Sequence, residues 1–371
     1  MKILFLTNNL SRGGAERVLV NLANDLAKKN HDITVRSLVN KGENRALLSP
    51  EVKYEFIFKK GFRGINFLHL LPHKWIYKKI AYGDFDVIVV YLHGVLTKIV
   101  SYAPVSQKTV AYLHANMEKS PFIKSFKTKE HIQKCFKNYD RIVAVSREVK
   151  DSFIKVSDIN DERLVVKYNT FDVEKIKTFA LESINFPFEA KCGTTMCVVG
   201  KLEDVKGHQR LLDTIKKLIS NGIYAQLMIV GDGRLKYQLE EYIKSNSLED
   251  YIHIVGFDIN PYKYIATSDL LVVSSFSEGF SSVVAEALIL GVPVLTTDCA
   301  GMKEILGDNN EYGLIVENSE QGLYDGLCEI LTDSALLEKY RLAAKKRGAF
   351  FEPEQTSTAI ENMFEEILNE Q

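Results

Sequence analysis

The sequence predicts an α/β protein built from two Rossmann-like, doubly wound domains. The chain has 371 residues, more than one hydrophobic core usually organises. Short runs of Val, Ile and Leu, bounded by turn residues, alternate with stretches of helical periodicity, as in successive βαβ units. This alternation pauses over residues 172–192 and then restarts, which predicts a second core.

Thirteen runs are typical of strands, and many have consecutive apolar residues, as expected for a parallel sheet that is covered on both faces. In the first half these runs are Lys2–Asn8, Ile33–Val39, Tyr54–Phe58, Val87–Leu92, Thr109–His114, Ile142–Ser146 and Leu164–Tyr168. In the second half they are Thr194–Gly200, Ala225–Val230, Ile252–Val255, Leu270–Ser274, Val292–Thr296 and Gly313–Val316. Helical periodicity is clear at Ala15–Lys29, Gln209–Ser220, Leu235–Lys244, Ser282–Leu290 and Gln321–Leu331.

These patterns predict an N-terminal domain over residues 1–185 and a C-terminal domain over 186–355. The acidic segment Thr356–Asn369 follows Pro353, and we expect a helix there, within 356–371, that crosses back to the first domain. Ligands of doubly wound sheets bind at the carboxyl ends of the strands. The loops that follow the strands are therefore the places to look for chemistry.

Composition and charge limit the classes of function that the chain can have. Hydrophobic residues make up 46% and charged residues 26% of the chain, which is ordinary for a folded domain. The net charge of −1 hides a surplus of 11 positive charges in residues 1–190 and of 12 negative charges in 191–371. No apolar run approaches the ~20 residues of a membrane helix, and the five cysteines are scattered. We expect a cytoplasmic chain with free thiols and without a signal peptide, transmembrane span or structural zinc.

Three loops after strands carry candidate binding residues. Gly13 and Gly14 precede the first helix, where glycine permits close backbone approach and unpaired amides favour a phosphate; a plain turn would have the same residues. Lys201 and Lys206 lie in the loop between a strand and a helix in the second half, with Lys206 just before the helix. Two cations beside a helix N-terminus suit a diphosphate, although solvated loop lysines are the alternative.

The third loop contains two carboxylates at a helix start. Glu278 lies in a Glu-Gly turn after a strand, Ser281 or Ser282 can cap the helix that follows, and Glu286 lies about one turn inside it. Eight residues of helix would span ~12 Å, too far for a retaining glycosidase pair at ~5–5.5 Å. We therefore interpret both carboxylates as groups that hold a ligand. Apolar neighbours make Glu286 an improbable surface residue.

Together these loops resemble the retaining glycosyltransferases of family 4, which have the GT-B fold of two Rossmann-like domains facing each other across a cleft. The resemblance extends from Gly13-Gly-Ala-Glu-Arg17 through Lys206-Gly-His208 and Gly231-Asp-Gly233 to the Glu-x7-Glu pattern that begins at Glu278 and precedes Gly291-Val-Pro-Val294. It implies an N-terminal domain that binds the acceptor and a C-terminal domain that binds the nucleotide-sugar donor.

The resemblance also implies roles for individual residues. Glu286 matches the residue that accepts hydrogen bonds from the ribose hydroxyls, and Glu278 the residue beside the hydroxyls of the donor sugar. Lys206 matches the diphosphate-binding lysine, whereas Lys201 stands where the family usually has arginine and lacks its bidentate fork. Gly14 would touch the phosphates. The remaining implied donor-binding groups are backbone amides, those of Gly279, Phe280, Ser281 and Ser282.

His114 resembles the histidine of the N-terminal domain that faces the donor sugar in this family, although a histidine at a strand end can be purely structural. With Glu278 and Lys206 it forms the predicted catalytic set. Negative charge develops on the leaving diphosphate, and fixed cations and helix N-termini can stabilise it. We therefore expect a metal-independent hexosyltransferase without a cofactor. The resemblance implies that it retains anomeric configuration, by the front-face displacement usually proposed for the family.

The positive charge of the first half bears on the acceptor. Basic and aromatic residues alternate over 59–79 and again over 122–137, which suits an anionic membrane surface but is also compatible with ordinary solvated helix faces. No nucleic-acid fold signature accompanies the charge. The sequence thus predicts transfer from a nucleotide sugar, with UDP as the expected nucleotide, to a glycan or lipid-linked acceptor in surface polysaccharide synthesis. A sugar-nucleotide epimerase and a catalytically silent partner subunit remain alternatives.

Overall fold

The computed structural model describes residues 1–11, 13–61, 63–188 and 193–370. Arg12 in the first glycine loop and Cys192 at the predicted domain boundary lie outside these residues. The chain divides into two compact units. Unit 1 comprises Met1–Asp172 and Pro353–Gln371, and unit 2 comprises Val173–Glu352.

Each unit contains one parallel sheet. The strands are β1 Lys2–Thr7, β2 Asp32–Val39, β3 Lys53–Phe58, β4 Val87–Val90, β5 Lys108–Leu113, β6 Arg141–Ala144, β7 Leu164–Val166, β8 Thr194–Val199, β9 Ala225–Val230, β10 Ile252–Gly256, β11 Leu270–Val273, β12 Val294–Thr297 and β13 Leu314–Val316. Over the described residues the strand order is β3-β2-β1-β4-β5-β6-β7 in unit 1 and β10-β9-β8-β11-β12-β13 in unit 2.

Helices connect the strands. They are α1 Gly14–Lys28, α2 His73–Ile80, α3 Val95–Val100, α4 Pro121–Lys124, α5 Lys129–Phe136, α6 Arg147–Ser157, α7 Val173–Ala180, α8 His208–Ser220, α9 Lys236–Ser245, α10 Tyr262–Thr267, α11 Ser282–Ile289, α12 Met302–Leu306, α13 Glu320–Thr332, α14 Ser334–Gly348 and α15 Pro353–Asn369. Short 3-10 turns occur at loop positions such as Asp204–Lys206.

The strands form where apolar residues are consecutive, because both faces of each sheet are covered. All four residues of β4 and all four of β11 are buried. Helix α8 is amphipathic, and its buried residues Leu211, Leu212, Ile215 and Leu218 recur at helical spacing in the core of unit 2. The prediction of two Rossmann-like, doubly wound domains is confirmed.

Both sheets have a switch point, where the strand order reverses direction. It lies between β1 and β4 in unit 1 and between β8 and β11 in unit 2. Loops at the carboxyl ends of these strands border the crevice in which doubly wound folds bind ligands. The three glycine-, lysine- and glutamate-containing loops predicted from the sequence follow β1, β8 and β11.

The strand predictions are correct within a few residues, but several helices are not identified from the sequence, among them α7 and α14. Helix α7 lies in the stretch where the periodicity pauses. Helix α14 buries only Tyr340, Ala344 and Gly348, so its apolar pattern is weak. Its start does have a signal, because the carboxylate of Asp333 accepts hydrogen bonds from the amides of Ala335 and Leu336.

The ends of unit 2 are defined by packing. Helix α7, which falls within the predicted N-terminal domain 1–185, contacts α10 and α11 of unit 2. Helix α15 instead packs against α1 of unit 1. There the Glu361 carboxylate lies 3.0 Å from the Lys29 ammonium and 2.7 Å from His31 Nε2, and Arg141 pairs with Glu370.

Candidate donor-binding site

The loops that follow β8 and β11 touch through their backbones at the switch point of unit 2. Gly207 lies directly before α8 with φ +65°, and a Cβ there would be 2.1 Å from the Ser274 carbonyl oxygen. Only glycine meets both constraints. The Ser274 hydroxyl donates to the Lys206 carbonyl at 3.0 Å, and the Phe276 amide donates to the Val205 carbonyl at 2.8 Å. The two loops therefore form one structure.

Lys206 and Glu278 meet at this junction. The Lys206 ammonium lies 2.6 Å from Glu278 Oε1, which also accepts a hydrogen bond from the Ser275 hydroxyl at 2.5 Å. The lysine side chain is 29% exposed and the glutamate side chain 12%, so the pair is accessible from one side. The structure thus brings together the cation and the carboxylate that the sequence singled out 72 residues apart.

Helix α11 begins immediately beyond this pair. Its N-cap residue is Ser281, one of the two predicted candidates, with extended backbone geometry but no side-chain capping bond in the described structure. First-turn amides of a helix have no intrahelical acceptor. Ser282 is the first residue of α11, and Gly279 and Phe280 lie in the loop just before its N-cap. The Gly279 carbonyl is so close to Gly301 that a Cβ on Gly301 would lie 2.5 Å from its oxygen.

Glu286 is a buried carboxylate on α11. The residue is only 7% exposed, and its neighbours along the helix, Val284, Ala285, Ala287 and Leu288, are fully buried. The expectation that it is not a surface residue is confirmed.

Lys201 is exposed and lies across the β8 loop from a buried histidine. The Lys201 carbonyl accepts a hydrogen bond from His208 Nε2 at 3.1 Å. Burial lowers the pKa of His208 to about 4, so the ring is neutral and its Nε2 proton fixes the loop. The sequence motif included His208 but did not indicate this bracing function.

The matching edge of unit 1 is built differently. In the β1 loop, the Gly13 amide donates to the Ser11 carbonyl at 2.7 Å, and the Asn44 side-chain amide donates to the same carbonyl at 2.7 Å. Gly13 is the N-cap residue of α1, and Gly14, its first residue, is exposed. The two predicted glycines therefore lie at the helix start, as their sequence position indicated.

His114 follows β5 in unit 1. Its ring lies 4.7 Å from the ring of Tyr91, and its backbone amide approaches His93 Nδ1 at 3.5 Å. Among the described residues its Nε2 atom is buried without a hydrogen-bond partner. Burial, with a smaller contribution from His93, lowers the pKa of His114 to about 3. Burial also lowers the pKa of His93 to about 4, so two neutral histidines lie side by side.

Two doubly wound sheets, with a lysine–carboxylate pair beside a helix N-terminus at one switch point, are typical of α/β proteins that bind nucleotides. Residues 12–175 match the family model described as Glycosyltransferase Family 4. Residues 183–347 match the model described as Glycosyl transferases group 1. Between them the two models cover most of the chain, and they support a glycosyltransferase with the GT-B fold.

Two curated relatives illustrate the likeness. The N-acetylgalactosamine-N,N'-diacetylbacillosaminyl-diphospho-undecaprenol 4-alpha-N-acetylgalactosaminyltransferase of Campylobacter jejuni is 34% identical over 57% of this chain, a match that spans 56% of that protein. The amylovoran biosynthesis glycosyltransferase AmsD of Erwinia amylovora is 25% identical over 99% of both chains. The chain thus matches only about half the length of the first relative and nearly all of the second.

Solved structures support the fold. The structure of Anabaena Alr3699/HepE in complex with UDP and glucose has a TM-score of 0.74 over 100% of both chains at 21% identity. A glycosyltransferase from Rickettsia africae has a TM-score of 0.77 at 18% identity, over 100% of this chain and 99% of its own. At these identities the likeness establishes the architecture.

Proposed function

We propose that this protein is a retaining glycosyltransferase that moves a hexose or N-acetylhexosamine from a UDP-sugar to a glycan acceptor. The observation that carries the proposal is the Lys206–Glu278 pair, 2.6 Å apart, at the switch point and directly before α11. The match of both halves of the chain to glycosyltransferase models supports transfer chemistry. The roles of individual residues follow from the chemistry that each can supply.

The leaving diphosphate needs positive charge, because breaking the anomeric bond places negative charge on it. Lys206 and Lys201 supply cations, and the first turn of α11 supplies amides whose dipoles point at an anion. These groups take the place of a divalent metal, so we expect turnover in the presence of a chelator. Among the described residues, no three His, Cys, Asp or Glu side chains gather into a metal-binding group.

Carboxylates and histidine would hold the rest of the donor. Glu286 accepts hydrogen bonds from the ribose hydroxyls, and Glu278 accepts them from the sugar. Neutral His114 offers its unpartnered ring nitrogen to a sugar hydroxyl. None of these groups is placed here as a covalent nucleophile, and front-face displacement, in which the leaving phosphate assists the acceptor, agrees with the proposed retention.

The acceptor is proposed to be lipid-linked, in the synthesis of a surface polysaccharide at the inner face of a membrane. One relative is named for transfer to a diphospho-undecaprenol glycan and another for amylovoran biosynthesis. Residues 59–79 contain six Lys or Arg and no Asp or Glu. No helix among the described residues is long and apolar enough to cross a membrane, and we propose peripheral contact instead.

This contact would use a basic-aromatic surface that we define as Phe67, Leu70, Lys74, Trp75 and Lys78. Phe67 is 64% exposed, Leu70 71% and Trp75 53%. Helix α2 buries Ile76, Tyr77 and Ile80 on its other face, and the Lys79 ammonium lies 6.0 Å from the Trp75 ring centroid. Exposed aromatics beside lysines suit the interface of an anionic bilayer.

The test is a donor screen. The full chain is incubated with UDP-glucose, UDP-galactose, UDP-N-acetylglucosamine or UDP-N-acetylgalactosamine, with and without a polyprenyl-diphosphate-linked N-acetylgalactosamine acceptor, in EDTA. We expect one donor to release UDP, and the release to rise strongly with acceptor and to yield an α-linked product. Conversion of the donor without acceptor would indicate an epimerase, and no reaction with any donor would indicate a silent partner subunit.

A further inference from the structure

We infer that Arg210, on the first turn of α8, is a positioning residue that holds the β11 loop in the shape that presents Glu278 to the donor. The inference rests on the proposed function, since it assigns Arg210 a task at that site. Nothing in the sequence pattern singles Arg210 out. The geometry around its guanidinium does.

The guanidinium donates five hydrogen bonds, three of them to the β11 loop and one, at 3.4 Å, from Nη2 to the Thr297 hydroxyl. Nε and Nη2 both donate to the Ser274 carbonyl, at 2.8 and 2.5 Å, and Nη2 also donates to the Ser275 carbonyl at 2.8 Å. Nη1 donates to Asn318 Oδ1 at 2.8 Å. The guanidinium carbon lies 3.9 Å from the centroid of the Phe276 ring. Three consecutive loop residues are therefore held by one side chain.

Asn318 adds further hydrogen bonds to the same loop. While its side-chain oxygen accepts from Arg210, its side-chain nitrogen donates to the Phe276 and Asp298 carbonyls, both at 3.2 Å. The Thr297 hydroxyl donates to the Ser275 carbonyl at 2.6 Å. Arg210 thus joins the β11 loop to the end of β12, the strand beside β11, and to the end of β13, the strand beyond β12.

The connection continues to the catalytic pair. Ser275, whose carbonyl Arg210 holds, donates its hydroxyl to Glu278, and Ser274, held by the same guanidinium, donates its hydroxyl to the Lys206 carbonyl. A shift of Ser274 and Ser275 would therefore move both members of the Lys206–Glu278 pair. A displacement of about 1 Å in such groups can cost about 100-fold in rate.

A charged arginine at this buried position costs more free energy than a side chain that only packs the helix against the sheet. The residue is 4% exposed, burial lowers its pKa, and within the described structure all its hydrogen-bond acceptors are neutral oxygens. A buried cation without a carboxylate partner costs desolvation free energy. An apolar side chain could pack the helix against the sheet without that cost. The planar fork, however, binds several carbonyls at once, which lysine cannot do.

The test compares Arg210→Lys with Arg347→Lys in the full chain. Arg347 is a matched control in the same unit, because its Nε and Nη2 donate to the Ile305 and Glu304 carbonyls at 2.9 and 2.6 Å and its guanidinium lies 4.1 Å from the Phe350 ring centroid. Melting temperature, UDP affinity by calorimetry, and kcat and KM for the preferred donor are measured for each variant.

We expect Arg210→Lys to lower kcat by at least about 30-fold while UDP affinity and donor KM change less than about threefold. Arg347→Lys should melt at a similar temperature and keep kcat within about twofold. Asn318→Ala, at a partly exposed position, should also lower kcat, but by a smaller factor than Arg210→Lys. It tests the inference if Arg210→Lys does not fold.

Three results would overturn the inference. Equal kcat losses in Arg210→Lys and Arg347→Lys would reduce Arg210 to a structural residue, as would an unchanged kcat in Asn318→Ala. Parallel loss of UDP affinity and kcat in Arg210→Lys would mean that the whole site collapses. Wild-type turnover separates these failures from failure of the proposed function: absence of UDP release by the wild type overturns both.

Discussion

The two switch points share one topology but differ in chemistry. In unit 2, the edge at β8 and β11 carries Lys206 against Glu278 and several hydrogen bonds between loops. In unit 1, the residues after β4 and β5 include His93 and His114, both kept neutral by burial. The first pair of side chains is charged, and the second is a pair of neutral imidazoles.

The difference teaches that the doubly wound sheet supplies a place for a ligand and the loops supply its chemistry. Fixed charge suits a diphosphate and the carboxylate-held hydroxyls of a nucleotide sugar. Neutral imidazoles suit an uncharged sugar hydroxyl, because they can donate or accept without bringing a charge. Substitutions at the charged edge should therefore cost more than substitutions at the neutral edge.

The largest effect is expected for Glu278→Gln. The amide keeps the size and a hydrogen bond from Ser275 but removes the charge that faces Lys206 and the donor sugar. We expect kcat/KM for the donor to fall about 100-fold, on the order of 3 kcal/mol. Steady-state UDP release measures it, with Glu241→Gln, an exposed glutamate of α9, as control. A loss below about threefold would remove the contrast between the two edges.

A smaller effect is expected for His114→Ala. If the neutral ring makes one hydrogen bond to a sugar hydroxyl, its loss should lower kcat/KM about tenfold, in line with roughly 1–1.5 kcal/mol per bond. UDP affinity should not change. Weaker UDP binding in His114→Ala would contradict the assignment of the ring to the sugar.

The same residue has a pH signature. The pKa of His114 is about 3 in the folded chain, below the ordinary value of 6.5, so between these values the unfolded chain binds the proton more strongly. The free energy of unfolding should therefore fall as pH drops below 6.5, by up to about 1.4 kcal/mol per pH unit for this residue. Denaturant titrations at pH 6.5 and 4.5 should show a smaller fall for His114→Ala. An identical fall would mean that the ring is not buried.

The smallest effect on turnover is expected for changes at the basic-aromatic surface of unit 1. Replacing Lys74 and Lys78 with Glu should weaken sedimentation with phosphatidylglycerol liposomes about tenfold or more, at ~1 kcal/mol per lysine, without changing turnover of a soluble acceptor analogue. Lys244→Glu, on an exposed face of unit 2, is the matched control. Wild-type binding that is absent, or that persists unchanged in high salt, would contradict membrane contact.

Sequence reasoning reached the fold because consecutive apolar runs and helical periodicity report burial directly. It found Lys206, Glu278 and Glu286 because charged residues beside glycine and helix starts stand out locally. It did not find Arg210, Asn318 or Thr297, because their function arises only when three strand ends meet. Nor could it show that His93 lies beside His114, since that contact depends on the register of β4 against β5.

The central claim is that unit 2 binds a nucleotide sugar through the β8 and β11 loops and α11. Calorimetric titration of UDP into the wild type and Glu286→Ala tests it most directly, with thermal unfolding to verify the fold and Glu241→Ala as control. We predict micromolar affinity in the wild type and control, and at least about 50-fold weaker binding in Glu286→Ala, because the ribose hydroxyls lose their acceptor. Equal affinity in all three proteins would contradict the account.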